Sequence, residues 1–534
     1  MTKTPPTFVR DATGLVREVG AWPSFFATFA LVTGGVPILL IATLWTAPGA
    51  NWTLALLTAF VPSLAFAALA VIMAISMPRS GADYVFTSRA LHPFLGFVSY
   101  FALVSAFTLN YGIFSSLGAT YVGYILTSLG SVWNDPNLAN IGATLSSPIP
   151  AFVISVATIT ITGLIGLLRP RHAWGFIFWA GVISLVATAI FFGAMATISP
   201  STFQAAYDAF VAAGGYTLAS GNSTVPATYS QVISVGGLPS LGPMAATFAA
   251  LPFAWFTYTW YTLPASWSGE MKHVKKSMFI AIIAALVWIA IYFILFEILS
   301  FNAFGQGFLE AWSNLNTGGG PPVAGIGNFT PFFVFLVYKS APLLFVMFIA
   351  LFLPNFLSLP AILISQTRYL FSWAWDRILP ERIAAVNERT HTPLIAGMII
   401  LAGAYLGAAL VAFAPDVGIV TTTFPIFTFG FIIPAFGAAA FPYLKRDLYE
   451  SSVIVKRKVA GVPVITWLGG LAGIYLIFST YLAISVGNLP LNLQSGLTYL
   501  VIFGLGIVIY AVGYFNAKRK GIPIELVFKQ IPPE

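Results

Sequence analysis

The chain has 534 residues, of which 58% are hydrophobic and only 7% are charged. A soluble domain carries about a quarter charged residues, so this composition excludes a protein whose surface faces mainly water. Cysteine is absent, which excludes disulfides, thiolate metal sites and a cysteine nucleophile. The formal net charge of +8 would also suit a nucleic-acid-binding protein, so the positions of the charges must decide between the two.

Apolar stretches of about 20 residues predict membrane-spanning helices. The N-terminal residues lack the apolar core of a cleaved signal peptide, so we expect the first such helix to stay in the membrane. The stretches lie near 22–46, 54–76, 94–128, 149–168, 173–198, 243–267, 277–301, 340–372, 393–414, 417–443, 462–486 and 496–516. The sequence therefore predicts an all-α membrane protein with about twelve transmembrane helices.

Lysine and arginine are concentrated in alternate connecting segments. If the N-terminus is cytoplasmic, the inner segments hold nearly all of them and the outer segments hold only Lys339. This positive-inside pattern supports the number of spans and predicts a multi-pass protein of the cell membrane with both termini cytoplasmic. It also explains the net charge without a nucleic-acid partner.

Three Asn-x-Ser/Thr sequons, at Asn51, Asn222 and Asn328, fall in segments predicted to be outside. They are candidates for glycosylation and agree with the topology, although loops rich in Ser, Thr and Asn also produce such sequons by chance.

The spans predict five consecutive units. These are a cytoplasmic N-terminal segment (1–21), spans one to five (22–198), an extracellular loop (199–242), spans six to ten (243–443), and spans eleven and twelve with a cytoplasmic tail (444–534). Spans one to five and six to ten would form a five-plus-five inverted repeat, in which spans one and six are equivalent.

Spans one and six both contain helix-breaking residues. The first has Thr33-Gly34-Gly35-Val36-Pro37 at its middle, and the sixth has aromatic and hydroxyl residues followed by Pro264. Either feature alone favours a packing contact or an aromatic-rich core helix. Interrupted helices at equivalent positions of two repeats, however, predict a transporter's binding site. Free N–H and C=O groups at the breaks would suit a zwitterion, which indicates a ligand without net charge.

Glu297 is the clear ionisable residue within a predicted span and is a candidate for ion coupling, although it lies close enough to the helix end to reach the headgroups. The histidines, His92, His172, His273 and His391, all fall in predicted cytoplasmic segments, so we expect no intramembrane metal site and no cofactor. A membrane-embedded enzyme would need clustered reactive groups, and a channel would need a repeated filter element. The sequence favours neither.

Four segments resemble the amino acid–polyamine–organocation (APC) superfamily of permeases over nearly the whole chain. Thr33-Gly34-Gly35-Val36-Pro37 loosely matches the family's G-S/A-G-I-F. Pro78-Arg79-Ser80-Gly81-Ala82-Asp83-Tyr84-Val85, with His92-Pro93, closely matches its P-R-S-G-G-x-Y loop. Gly269-Glu270-Met271-Lys272-His273-Val274-Lys275-Lys276 resembles its E-x-K-N-P-x-K/R stretch, with Val274 in place of the proline. Thr367-Arg368-Tyr369, Asp376-Arg377-Ile378-Leu379-Pro380 and Thr392-Pro393 resemble its S-R…R-D/E-G-x-L-P…T-P run.

The resemblance implies amino-acid transport by alternating access, with spans one and six forming the site. Thr33, Gly34 and Gly35 would then bind the substrate carboxylate. Phe256, Thr257 and Tyr258 would lie near its ammonium group and side chain.

The resemblance leaves the coupling ion open. Sodium-coupled relatives use a hydroxyl of span eight, where Ser358 falls, and Pro354 and Pro360 are expected to interrupt that span. Some proton-coupled relatives use a lysine in span five, which has none here. H⁺ through Glu297, Na⁺ through Ser358, exchange and uniport all stay open. A polyamine or other organocation is the alternative substrate, and a solute channel is a further alternative.

Glu270 ends span six on the cytoplasmic side, beside Lys272, Lys275 and Lys276. An acidic residue contributes little to positive-inside orientation. We therefore expect Glu270 to act at an inner gate, as a surface latch with neighbouring cations.

Overall fold

The computed structural model describes residues 14–318, 320–415, 419–452, 456–485 and 493–530. Residues 1–13 of the predicted N-terminal segment and 531–534 of the predicted tail lie outside the described residues.

The predicted first repeat consists of eight α-helices, four of which begin with a proline, whose fixed φ suits a first turn. They are α1 (Ala21–Thr33), α2 (Val36–Ala42), α3 (Trp52–Ser76), α4 (Ala82–Ala90), α5 (Pro93–Trp133), α6 (Pro136–Leu145), α7 (Pro148–Gly166) and α8 (Pro170–Ala196), with a 3₁₀ helix at Leu44–Thr46. The turn into α4 needs Gly81, whose φ of 65° is left-handed.

The segment predicted as an extracellular loop, 199–242, has secondary structure of its own. It contains α9 (Pro200–Gly214), a β-hairpin of β1 (Thr217–Ser220) and β2 (Ser223–Pro226), and α10 (Tyr229–Gly236). Tyr229 donates from its hydroxyl to Phe304 O at 3.1 Å, which attaches the segment to the helices that follow.

The second half begins with α11 (Pro243–Phe256), a 3₁₀ helix at Thr259–Glu270, α12 (Val274–Met278), a π-helical turn at Phe279–Ala284, and α13 (Ala285–Phe304). It continues with α14 (Gln306–Thr317), α15 (Thr330–Tyr338), α16 (Ala341–Trp375), a 3₁₀ turn at Glu381–Ala384, α17 (Leu394–Phe413) and α18 (Ile419–Leu444). The C-terminal part comprises α19 (Arg446–Ser451), β3 (Lys458–Val459), β4 (Val462–Pro463), α20 (Val464–Ser485), α21 (Leu493–Arg519) and α22 (Ile524–Val527).

Within the described residues, eleven helices are long and apolar enough to cross a bilayer, which confirms an all-α membrane fold. The predicted sixth span, 243–267, is not among them, because its α-helix ends at Phe256 and a 3₁₀ helix follows. Twelve spans and the five-plus-five repeat therefore stay predictions.

Two long helices, α5 and α16, form the centre of the molecule, and α1 packs against α16. The expectation that Pro354 and Pro360 interrupt the eighth span was wrong, since α16 runs through both as a single α-helix. Neighbouring helices and side chains can satisfy the carbonyls that a proline leaves free in a membrane helix.

Candidate functional site

The first span is interrupted where the sequence predicts. The α-helix ends at Thr33, resumes at Val36, and leaves Gly34 and Gly35 between its two halves. All of these residues are buried. Thr33 donates from Oγ1 to Phe29 O at 2.7 Å, so its hydroxyl is engaged within its own helix.

The two glycines are required by close packing. A Cβ on Gly34 would lie 2.7 Å from Asn355 Cα and 2.9 Å from Asn355 N, so α1 and α16 touch backbone to backbone here. A Cβ on Gly35 would lie 2.8 Å from Leu117 Cδ2 and 3.4 Å from Phe114 Cε1. The carbonyl of Gly34 accepts a hydrogen bond from the Tyr121 hydroxyl at 3.2 Å. Side chains of α5 and the backbone of α16 therefore enclose the break.

The sixth span is also interrupted where the sequence predicts. Thr257 donates from Oγ1 to Ala254 O at 2.7 Å, which closes the end of α11. The hydroxyl of Tyr258 reaches Leu56 O in α3 at 3.4 Å. Phe256 is only partly buried and packs near Phe427, with ring centroids 6.1 Å apart. Of these three predicted residues, Tyr258 thus directs its hydroxyl to α3, not to the backbone of the first break.

Trp260, in the 3₁₀ part of the sixth span, connects the two breaks. Its ring lies 5.1 Å from that of Phe114, which in turn packs beside Gly35. Phe107 and Phe427 also pack around the indole, at 5.0 and 5.1 Å. The predictions named neither Trp260 nor Asn355 as a site residue. A tryptophan or asparagine among apolar residues is the signal that would have indicated them.

At the end of the sixth span that is predicted to be cytoplasmic, called the inner end below, Glu270 forms a two-pronged ion pair with Arg368 of α16. Nε and Nη2 of Arg368 lie 2.6 and 2.7 Å from the two carboxylate oxygens. The side chains are only 1% and 3% exposed. Glu270 is therefore not a surface latch with neighbouring lysines, as expected from the sequence, but half of a buried pair that joins two helices.

The inner end of the first span is hydrogen-bonded to the backbone around Glu270. Val19 N donates to Glu270 O at 3.0 Å, and Lys272 N donates to Val19 O at 3.3 Å. One turn further on, Trp267 Nε1 donates to Ser24 Oγ at 2.9 Å. These contacts close the first span against the sixth at the inner end.

A second buried ion pair joins α4 to the end of α16. Arg89 contacts both oxygens of Asp376 at 2.6 Å, and the Tyr84 hydroxyl donates to Asp376 at 2.8 Å. Asp83, also in α4, accepts a hydrogen bond from the hydroxyl of Tyr369 in α16 at 2.8 Å. These residues lie in the segments that resemble the APC motifs, but nothing in their spacing indicated that they pair.

Asp83 lies between two candidate spans, at the inner end of the structure. Burial raises the pKa of its carboxyl from 3.8 to about 6, because desolvation outweighs the hydrogen bonds from Tyr369 and from the backbone of Tyr84. The inner face thus contains one carboxyl group that titrates in a mildly acidic range.

On the opposite side, the turn after α2 is held by α14. Glu310 Oε1 accepts from Gly49 N at 3.0 Å, and Gln306 Nε2 donates to Ala50 O at 2.9 Å. Burial raises the pKa of Glu310 above its ordinary value. The two ends of the first span are thus held by different partners, Glu270 at the inner end and α14 at the other.

The two ion-coupling candidates lie on different helices and have different partners. Glu297 is buried in α13 and accepts from the Thr53 hydroxyl at 2.6 Å. Ser358 is buried in α16, where its hydroxyl donates to Asn355 O at 2.6 Å. Among the residues that the structure describes, no cluster of three or more His, Asp or Glu side chains could hold a metal ion.

The sequons differ in their surroundings. Asn51 caps α3 by accepting from Leu54 N at 2.9 Å. Asn222 is exposed in the turn of the β-hairpin. Asn328 is partly buried, and its Oδ1 has no partner among the described residues.

A membrane-embedded bundle of helices with two interrupted spans and a closed inner face has the architecture of a permease. The chain belongs to the amino acid permease family of the APC superfamily, because the family's model matches residues 20–512. A comparison with individually curated proteins gave no match.

Proposed function

We propose that this permease is a secondary active transporter that moves a net-neutral amino acid across the cell membrane by alternating access. The observation that carries the proposal is that both interrupted spans pack against one ring of α5, since Gly35 of the first and Trp260 of the sixth lie beside Phe114. Membership of the permease family supports the transport of a small molecule.

The surroundings of the break support a ligand without net charge. Glycines, threonines, aromatic residues and Asn355 surround it, and none of them carries a full charge. An additional charge on the ligand would have to be desolvated there without a partner, which is costly. Thr33, Gly34 and Gly35 would line one side of the ligand site, and Phe256, Thr257 and Tyr258 the other.

The buried contacts at the two faces support alternating access. Glu270 and Arg368 close the inner face, while Glu310 and Gly49 close the opposite one. Each set must break for the ligand to leave on that side. With the N-terminus placed in the cytoplasm, the exposed Asn222 is the sequon best placed for glycosylation.

The test is uptake of labelled amino acids by liposomes that contain the purified protein. We expect saturable uptake of a neutral amino acid, competed by other neutral amino acids more strongly than by lysine, arginine or aspartate. Uptake of a polyamine in preference to every neutral amino acid would favour the organocation alternative and overturn the neutral-ligand proposal.

A further inference from the structure

Two polar atoms beside the break are buried without a hydrogen-bond partner in the described part of the chain. They are Oδ1 of Asn355 and Nε1 of Trp260, and each residue is 1% exposed. A buried polar atom without a partner costs free energy, so native proteins rarely leave one unpaired. Here the two atoms are an acceptor and a donor.

The orientation of the Asn355 amide is set by its neighbour. Its Nδ2 donates to the carbonyl of Phe114 at 2.8 Å, and a carbonyl can only accept. The nitrogen must therefore face Phe114, and the oxygen is the atom left unpaired. The Cα of the same residue lies against Gly34, so this acceptor belongs to the wall of the break.

The indole of Trp260 is held on the other side of Phe114. Three aromatic rings lie within 5.1 Å of it, at Phe107, Phe114 and Phe427. An indole N–H can only donate. Phe114 thus lies between the two residues: Asn355, with its unpaired acceptor, contacts its backbone, and Trp260, with its unpaired donor, packs against its ring.

We propose that these two residues bind the two charged ends of the transported amino acid. Asn355 Oδ1 accepts a hydrogen bond from the ammonium group, and Trp260 Nε1 donates one to the carboxylate. The inference rests on the proposed function and adds to it the side chains that recognise the α-amino and α-carboxyl groups.

Other unpaired atoms in the molecule provide matched controls. Trp52 Nε1 and Gln366 Oε1 are also buried without a partner among the described residues. Trp52 begins α3, and Gln366 lies near the inner end of α16, where its Nε2 donates to Ser365. If lost packing or hydration alone mattered, Trp52→Phe and Gln366→Ala would act like the corresponding changes at Trp260 and Asn355.

The experiment measures inhibition constants in liposomes for three related compounds: L-alanine, L-lactate, which lacks the ammonium group, and L-alaninamide, which lacks the carboxylate. If alanine is not transported, the same triplet is made for the amino acid with the highest uptake. Asn355→Ala should reduce the preference for the amino acid over the hydroxy acid by about ten-fold or more, as expected for a hydrogen bond to a charged group. Its preference over the amide should change by less than about two-fold.

Trp260→Phe should have the complementary effect, with a reduced preference over the amide and an unchanged preference over the hydroxy acid. Asn355→Asp keeps an acceptor and should retain the preference for the ammonium-bearing compound. Equal weakening of all three compounds in both variants, or the same ratios as in the two controls, would overturn the proposal. If the wild-type protein transports no amino acid, the proposed function fails first, and this inference falls with it.

Discussion

At the scale of single residues, the inner face depends on two arginine–carboxylate pairs that share α16. Arg368 contacts Glu270, and Asp376 contacts Arg89, each through two short hydrogen bonds. A buried pair has already lost its hydration, so removing one partner leaves an uncompensated charge. Breaking either pair therefore costs more free energy than breaking the surface latch that the sequence suggested.

Glu270→Gln should weaken the inner closure, because Arg368 would stay buried opposite a neutral amide. Breaking a buried pair costs about 3–5 kcal/mol, which is enough to shift the protein towards an inward-open state. The chain has no natural cysteine, so Ser24→Cys can report the opening by its labelling rate. Labelling should be faster in the Glu270→Gln background.

The matched control is Glu450→Gln, because Glu450 pairs with Arg446 at an exposed site. This change should leave labelling at Ser24→Cys as it is. Equal labelling rates with and without Glu270→Gln would remove Glu270 from the gate.

Asp83 gives a pH dependence of stability. Since its pKa is raised from 3.8 to about 6 in the folded protein, protonation favours folding. The contribution of Asp83 to the free energy of unfolding is fully present below about pH 4 and is lost as the pH rises through about 6. Its size is on the order of 3 kcal/mol. Asp83→Asn should remove this component.

The measurement is the unfolding midpoint of both proteins in detergent across this pH range. The midpoint of the variant relative to the wild type should rise between pH 4 and 6 and then level off. A constant difference would show that Asp83 does not titrate there.

At the scale of elements, the two interrupted spans show how far sequence patterns can be taken. Consecutive glycines with a nearby proline predicted the break of the first span, and the structure confirms a break at Gly34 and Gly35. The short helices α4, α6, α14 and α15 were not predicted, because they are too short to give a membrane signal. Glu270 and Arg368 are 98 residues apart, and no local pattern can pair such distant groups.

The structure also gives a different reason why residue 34 must be a glycine. The resemblance to the APC superfamily implied that Gly34 binds the substrate carboxylate. In the structure, any Cβ at this position meets the backbone of Asn355, which cannot move aside as a side chain can. Even Gly34→Ala should therefore separate α1 from α16, abolish uptake and cost about 1–3 kcal/mol of stability.

Gly193→Ala is the control, because Gly193 is exposed in α8 and a Cβ there would meet nothing within 4 Å. Uptake and thermal midpoint should be unchanged in this variant. Normal uptake by Gly34→Ala would show that α1 and α16 can part at the break without loss of function.

At the scale of the whole molecule, the hydropathy of the chain was sufficient to predict the fold class. The family model matches residues 20–512, nearly the whole chain, and confirms that the protein is an amino acid permease. Neither fact identifies the coupling ion, because a proton or a sodium ion is recognised by a few atoms. Those atoms are contributed by helices that only the folded structure brings together.

Coupling can be tested with two substitutions. If protons drive transport through Glu297, Glu297→Gln should flatten the pH dependence of uptake, since the amide cannot carry a proton away. If sodium binds at Ser358, Ser358→Ala should weaken the stimulation of uptake by Na⁺. Uptake that responds to neither gradient would contradict both assignments and favour exchange or uniport.

Counterflow tests alternating access most directly. Liposomes that contain the protein are loaded with unlabelled substrate at high concentration and diluted into a trace of labelled substrate. A carrier returns with labelled substrate after releasing an unlabelled molecule outside, so the label should accumulate transiently above its equilibrium level and then decline. A channel would let the label rise steadily to equilibrium without an overshoot, and that result would contradict the account.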